Sequence, residues 1–200
     1  MTSSWAGRWP SRSCARRSLI STVTTAATYP SVEFSPDGTM LAVGDDNTGA
    51  IYLWGIGSHT MIATLPAPFP APDGDDDYDN SLAFSPDGHE LAIPGPSMGT
   101  AKGAPDGVRL WNVTSRTWGA TLTDPGSEGV GTIAFSPDGH TLAVPDANGN
   151  IYLWDTATGK LAATLPSKTG NYVAAFSPDG KTLAIGGNGR ISLWNVSGNS

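Results

Sequence analysis

Four segments of this chain can be laid on one another: SVEFSPDGTMLAVG, SLAFSPDGHELAIP, TIAFSPDGHTLAVP and AAFSPDGKTLAIG. Their phenylalanines, Phe34, Phe84, Phe135 and Phe176, stand 50, 51 and 41 residues apart. Each segment is followed by a second block, IYLWG, VRLWN, IYLWD or ISLWN, which carries Trp54, Trp111, Trp154 or Trp194. A third block, MIATLP, WGATLT or LAATLP, follows three of them. Self-similarity at a period of about 40 residues restricts the chain to a propeller or a solenoid, in which each unit buries its apolar face on the next.

Each block has the chemistry of a strand. In IYLWD, Ile151 and Leu153 point one way while Tyr152 and Trp154 point the other. Both faces are apolar, so such a strand needs cover on both sides, and a small sheet stacked between two similar sheets supplies it. Ser-Pro-Asp-Gly is a tight turn by mechanism. Pro36 presets φ, Asp37 bonds nearby backbone, and Gly38 takes positive φ without a Cβ clash; the same holds at Pro86, Pro137 and Pro178. Asn148-Gly149 and Asn188-Gly189 suit a second hairpin turn. The repeat therefore reads strand a, Ser-Pro-Asp-Gly turn, strand b, Asn-Gly turn, strand c, short loop, strand d. The 25 glycines and 16 prolines follow this turn chemistry, and no helical period runs through the repeats. The fold class is all-β, with four-stranded antiparallel blades, four of them in this chain.

The pattern FSPDG, LA, Gly, I-x-L-W resembles the tryptophan–aspartate (WD) repeat family of β-propellers, in bacterial-type repeats, over residues 30 to 197. The family's Gly-His dipeptide is missing before every strand a. Val43, Ile93, Val144 and Ile185 stand where the family often has Ser, and only Trp154 is followed by Asp. The resemblance implies a propeller without the buried His–Ser–Trp hydrogen-bond network, held by apolar stacking of its Phe and Trp residues.

The expected organisation is an irregular segment, 1–17, then repeats over 18–197, with blades at about 30–66, 79–123, 130–166 and 171–197. Propellers carry about four to eight blades. Four can be a small ring, half of a two-chain ring of eight, or a stretch of a longer WD-repeat signalling protein. Blade four stops after strand c. Ser18–Thr24 resembles LAATLP and MIATLP and is expected as a clasp strand on its outer edge, in the same chain or a partner. An array that does not close leaves two blade faces bare, which motivates a homodimer that completes a ring.

The chemistry is sparse. His89 and His140 occupy one repeat position, beside the turn, and His59 lies in a c–d loop. Cys14 is the only cysteine. No catalytic residue, cofactor or metal is expected, with one weak exception: Asp73, Asp75, Asp77 and Asp79 alternate as calcium-loop ligands do, without that loop's glycine or closing glutamate. The net charge is −7, and from residue 18 onward it is −11. That balance disfavours nucleic acid as a partner. No membrane-spanning run is present. A cytoplasmic location is expected, although Arg16-Arg17 loosely resembles a twin-arginine export signal.

The expected function is a protein-interaction scaffold; the alternative is a fragment of a longer WD-repeat signalling protein without independent function, and an enzyme site in the channel is the weaker reading. The two longest loops, 66–80 and 94–107, join strands d–a and b–c and so leave the blades on one face. Phe69, Tyr78, Met98 and Lys102 are the side chains there suited to anchoring a protein partner.

Overall fold

A computed structural model describes residues 31–69, 81–95, 107–123, 125, 129–146, 149–167 and 173–197. All of its named elements are strands, arranged in four antiparallel sheets. Blade one contains β1 (Ser31–Phe34), β2 (Met40–Gly44), β3 (Ile51–Gly55) and β4 (Thr60–Leu65). Blade two contains β5 (Ala83–Phe84), β6 (Glu90–Pro94), β7 (Gly107–Asn112) and β8 (Thr117–Thr123). Blade three contains β9 (Ala134–Phe135), β10 (Thr141–Pro145), β11 (Asn150–Asp155) and β12 (Lys160–Pro166). Blade four contains β13 (Val173–Phe176), β14 (Thr182–Gly187) and β15 (Arg190–Asn195). Strand order within every sheet follows the chain, so each blade is a meander.

The turns form as their residues dictate. Asn188 and Gly189 both have positive φ, which matches a two-residue hairpin to the right-handed twist of β14 and β15. In blades one to three, the pairing of strands c and d shifts register beside the tryptophan, at Leu53/Trp54, Arg109/Trp111 and Leu153/Trp154. Recurrence of this irregularity at one repeat position marks it as part of the design.

Alternation along the strands gives each blade two apolar faces. The leading face carries the Phe and Trp of the repeat; the trailing face carries the I-x-L pair of strand c. Ala42, Ile51, Leu53 and Leu65 on the trailing face of blade one pack on Phe84, Leu91, Ile93 and Trp111 on the leading face of blade two. Blades two and three repeat the arrangement, with Val108, Leu110 and Leu122 against Leu142, Val144 and Trp154. Blades three and four do so again, with Ile151 and Leu153 against Phe176, Leu183, Ile185 and Trp194. Burying each such aliphatic side chain contributes roughly 1.5–3 kcal/mol. The indole N–H groups of Trp111 and Trp194 are buried without an acceptor. Trp111 and Trp194 thus pack as apolar wedges.

Polar bonds index the inner strands. Ser81 Oγ donates to the Gly131 carbonyl at 3.3 Å, which ties blade two to blade three. The Ala174 N–H donates to the Thr132 carbonyl at 3.2 Å, which ties blade three to blade four. The array is not a closed ring: none of the three apolar clusters among the described residues joins blade one to blade four.

Candidate protein-binding surface

The a–b turns form one rim of the array. In each, the serine hydroxyl donates to the aspartate two residues on: Ser35 to Asp37, Ser85 to Asp87, Ser136 to Asp138 and Ser177 to Asp179, at 2.5–2.6 Å. The same carboxylate oxygen accepts the backbone N–H of Thr39, His89, His140 or Lys181 at 3.0–3.1 Å. The serine oxygen in turn accepts the N–H that starts strand b, at 2.9 Å in all four. Successive turns also lie side by side at an even spacing. A Cβ on Gly88 would lie 3.6 Å from Pro36 Cδ, one on Gly139 3.5 Å from Pro86 Cδ, and one on Gly180 3.6 Å from Pro137 Cδ.

Two grooves open between blades on this rim. One, of about 280 Å³, lies between blades two and three and is lined by Asp87, His89, Glu90, Asn112 and His140. The other, of about 380 Å³, lies between blades three and four and is lined by Asp138, Asp155, Phe176, Asp179 and Lys181. The Ser136 hydroxyl, and then the His140 N–H, hold the Asp138 carboxyl below its ordinary range. Ser177 does the same for Asp179, and the backbone and hydroxyl of Thr158 for Asp155. Burial pushes Glu90 up, helped by the nearby charge of Asp87. The aspartates are therefore engaged in turn hydrogen bonds, and no group of three or more metal-ligating side chains suited to an ion occurs among the described residues.

These shifts set the pH response. Asp37, Asp87, Asp138 and Asp179 all have lowered folded-state values. Their contribution to stability is present above the unfolded value and is lost as pH falls through the folded one. Glu33 and Glu90 are raised by burial, so protonating them favours the fold and offsets the first part of the loss. The urea midpoint is expected to hold as pH falls into the glutamate range and to drop below the aspartate range. Asp138→Asn should lessen that drop. A midpoint that stays level through the whole acid range would remove the turns as its cause.

On the opposite face only the stems of the two long loops are described. Phe69 is 3% exposed, and a Cβ on Gly95 would meet its ring at 3.0 Å. The stems of the d–a and b–c loops thus meet, but Phe69 is buried among the chain's own residues. This corrects its expected role as an exposed anchor: its ring fills the space that the glycine leaves. Tyr78, Met98, Lys102, the aspartates Asp73, Asp75, Asp77 and Asp79, and the segments 1–17 and 18–24 lie outside the described residues.

Two features were not anticipated. Asp45 and Asp146 are fully buried at the b–c turns of blades one and three. Asp45 Oδ1 accepts the N–H groups of Asn47 and Thr48 at 3.1 and 3.2 Å, so it caps the turn from inside. The guanidinium of Arg109 lies 4.3 Å over the ring of Trp118, which meets Trp111 edge-on at 5.1 Å. The available signal was that Arg109 replaces the tyrosine of strand c and Trp118 the aliphatic residue of strand d.

Comparison with known proteins places the repeat. The family described as "WD domain, G-beta repeat" matches residues 19–54 and 159–195, and "Anaphase-promoting complex subunit 4 WD40 domain" matches residues 105–174. In the second repeat match, the opening residues are β12, the outer strand of blade three; the first match opens within the expected clasp segment. The chain is 24% identical over 141 residues to "Periodic tryptophan protein 2 homolog" of Schizosaccharomyces pombe, covering 70% of this chain and 14% of that protein. It is 30% identical over 136 residues to "U3 small nucleolar RNA-associated protein 18" of Saccharomyces cerevisiae, covering 65% of this chain and 21% of that protein. The chain therefore spans a small part of the length of these relatives, and both are yeast proteins, which lend no support to a bacterial cast for the repeat.

Proposed function

The chain belongs to the WD-repeat family, and from that premise we propose that it is a protein-binding module whose blades serve as a rigid platform. The observation that carries this reading is the state of the groove-lining aspartates. Asp138, Asp155 and Asp179 each accept local hydrogen bonds that shape a turn. A catalytic acid or base needs to be free to exchange a proton with a substrate; these are held ionised by their own turns.

The partner is a protein. The yeast relative's name associates it with an RNA, but this chain's charge of −7 disfavours direct contact with phosphate. The 66–80 and 94–107 loops are the docking elements, because their stems meet at Phe69 and Gly95 on a rigid base. Tyr78, Met98 and Lys102 are the anchors. Residues 18–24 act as an outer strand for blade four, because the family match that begins there has a strand of that kind at the same place in residues 159–195.

The test begins with partners crosslinked to the full chain in its native source and then purified. Alanine at Tyr78, Met98 and Lys102 together is expected to weaken binding by about tenfold or more, the scale of hot-spot truncation, with an unchanged melting curve. Unchanged affinity would move the docking site to the grooved rim, where alanine at His140 and Lys181 is the matching variant. If neither variant affects any purified partner, the platform reading fails.

A further inference from the structure

The exposed apolar residues are not scattered. Six of the seven large hydrophobic side chains exposed among the described residues lie on the two end faces of the array. Val32, Phe34 and Met61 are on the leading face of blade one; Val173, Ile191 and Leu193 are on the trailing face of blade four. A patch of this kind on a soluble protein marks an interaction site.

The internal interfaces say what fits there. Ile191 and Leu193 occupy the repeat positions of Ile51 and Leu53, Val108 and Leu110, and Ile151 and Leu153. Those three pairs are fully buried against the leading face of the next blade, whereas Ile191 and Leu193 are 78% and 71% exposed. Phe34, 59% exposed, occupies the position at which Phe84, Phe135 and Phe176 pack on the trailing face of the blade before. One end therefore carries the donor half, and the other end the acceptor half, of an interface the chain already makes three times.

The geometry points to a second copy of this chain as the occupant of both ends: two copies stack head to tail, blade four of each on blade one of the other. Such a contact is heterologous, and it terminates only if it closes. Two copies related by a two-fold axis satisfy both pairs of faces and leave none bare. The loop face and the turn rim take no part, so failure of this pairing would leave the protein-binding platform untouched, and the reverse also holds.

The experiment is light scattering on the full chain over a wide dilution series, with Phe34→Arg and Leu193→Arg as variants. Both positions are exposed in the single chain, so each variant should keep the wild-type circular dichroism. The wild type is expected at twice the 20.6 kDa chain mass, and each variant at the single-chain mass. Mixing the two variants should restore the twofold mass, because the Phe34→Arg chain keeps a sound blade-four face and the Leu193→Arg chain a sound blade-one face. Should either variant lose its circular dichroism, Val32→Arg or Ile191→Arg takes its place in the mixture. A wild type of single-chain mass at every dilution overturns the proposal. So does a twofold species that survives Phe34→Arg, which would mean blade four pairing with itself, or a mass that climbs past two chains with concentration.

Discussion

Leu110→Ala is expected to destabilise the chain by about 2–5 kcal/mol, the range for truncating a leucine in a core that cannot collapse around the gap. Leu110 is buried in the cluster between blades two and three, flanked by Val108 and Leu122 on its own blade and by Leu142 and Val144 on the next. Both walls are β-sheets held by ladders of hydrogen bonds, so neither can relax into the space. The cluster is also the middle interface of the array. In a stack of repeats, stability is a sum of unit and neighbour contributions, and weakening one neighbour contact lets the units on either side part company. Urea unfolding should therefore show a lower midpoint and also a shallower transition, as blades one and two separate from blades three and four. A loss below about 1 kcal/mol, outside the range for buried leucines, would mean that this interface is not the packed core it resembles.

Trp154→Ala should be at least as damaging, about 3–5 kcal/mol. Trp154 enters the same cluster from the blade-three side and has the largest side chain in it. Because the two truncations open one shared space, their effects should not add: the second adds less than it would alone, as is usual for residues in a common cavity. Strict additivity in a double-mutant cycle would show that Leu110 and Trp154 occupy separate pockets. Trp154→Phe keeps an aromatic wedge and should lose less than the alanine variant.

Much of this architecture was legible in the sequence because the chain repeats itself. Alternation in IYLWD assigned Ile151 and Leu153 to one face and Trp154 to the other, and the clusters follow that division. Ser-Pro-Asp-Gly and Asn-Gly named their turns by mechanism. What escaped depends on neighbours rather than on letters. Ile191 and Leu193 read the same as Ile151 and Leu153, yet among the described residues they are exposed while the other pair is buried. Phe69 looked like a loop aromatic until its ring met Gly95 from a different strand connection. Arg109 and Trp118 meet through a register shift, which no spacing along the chain discloses. Asp45 sits in a run of polar turn residues, and its burial comes from how the turn folds over it.

The even spacing of prolines and glycines along the a–b turns has a consequence for how such a chain can change over time. Phe-to-Phe spacing along the sequence varies from 41 to 51 residues, yet a Cβ on the turn glycine would lie 3.5–3.6 Å from the preceding turn's proline at all three junctions. The spacing of proline to glycine repeats along one rim, whatever length of chain the other rim carries. Insertions can lengthen on that second rim, as they have around blade two, while the turn-to-turn spacing holds. One edge keeps the gauge and the other is left free to acquire new ligands.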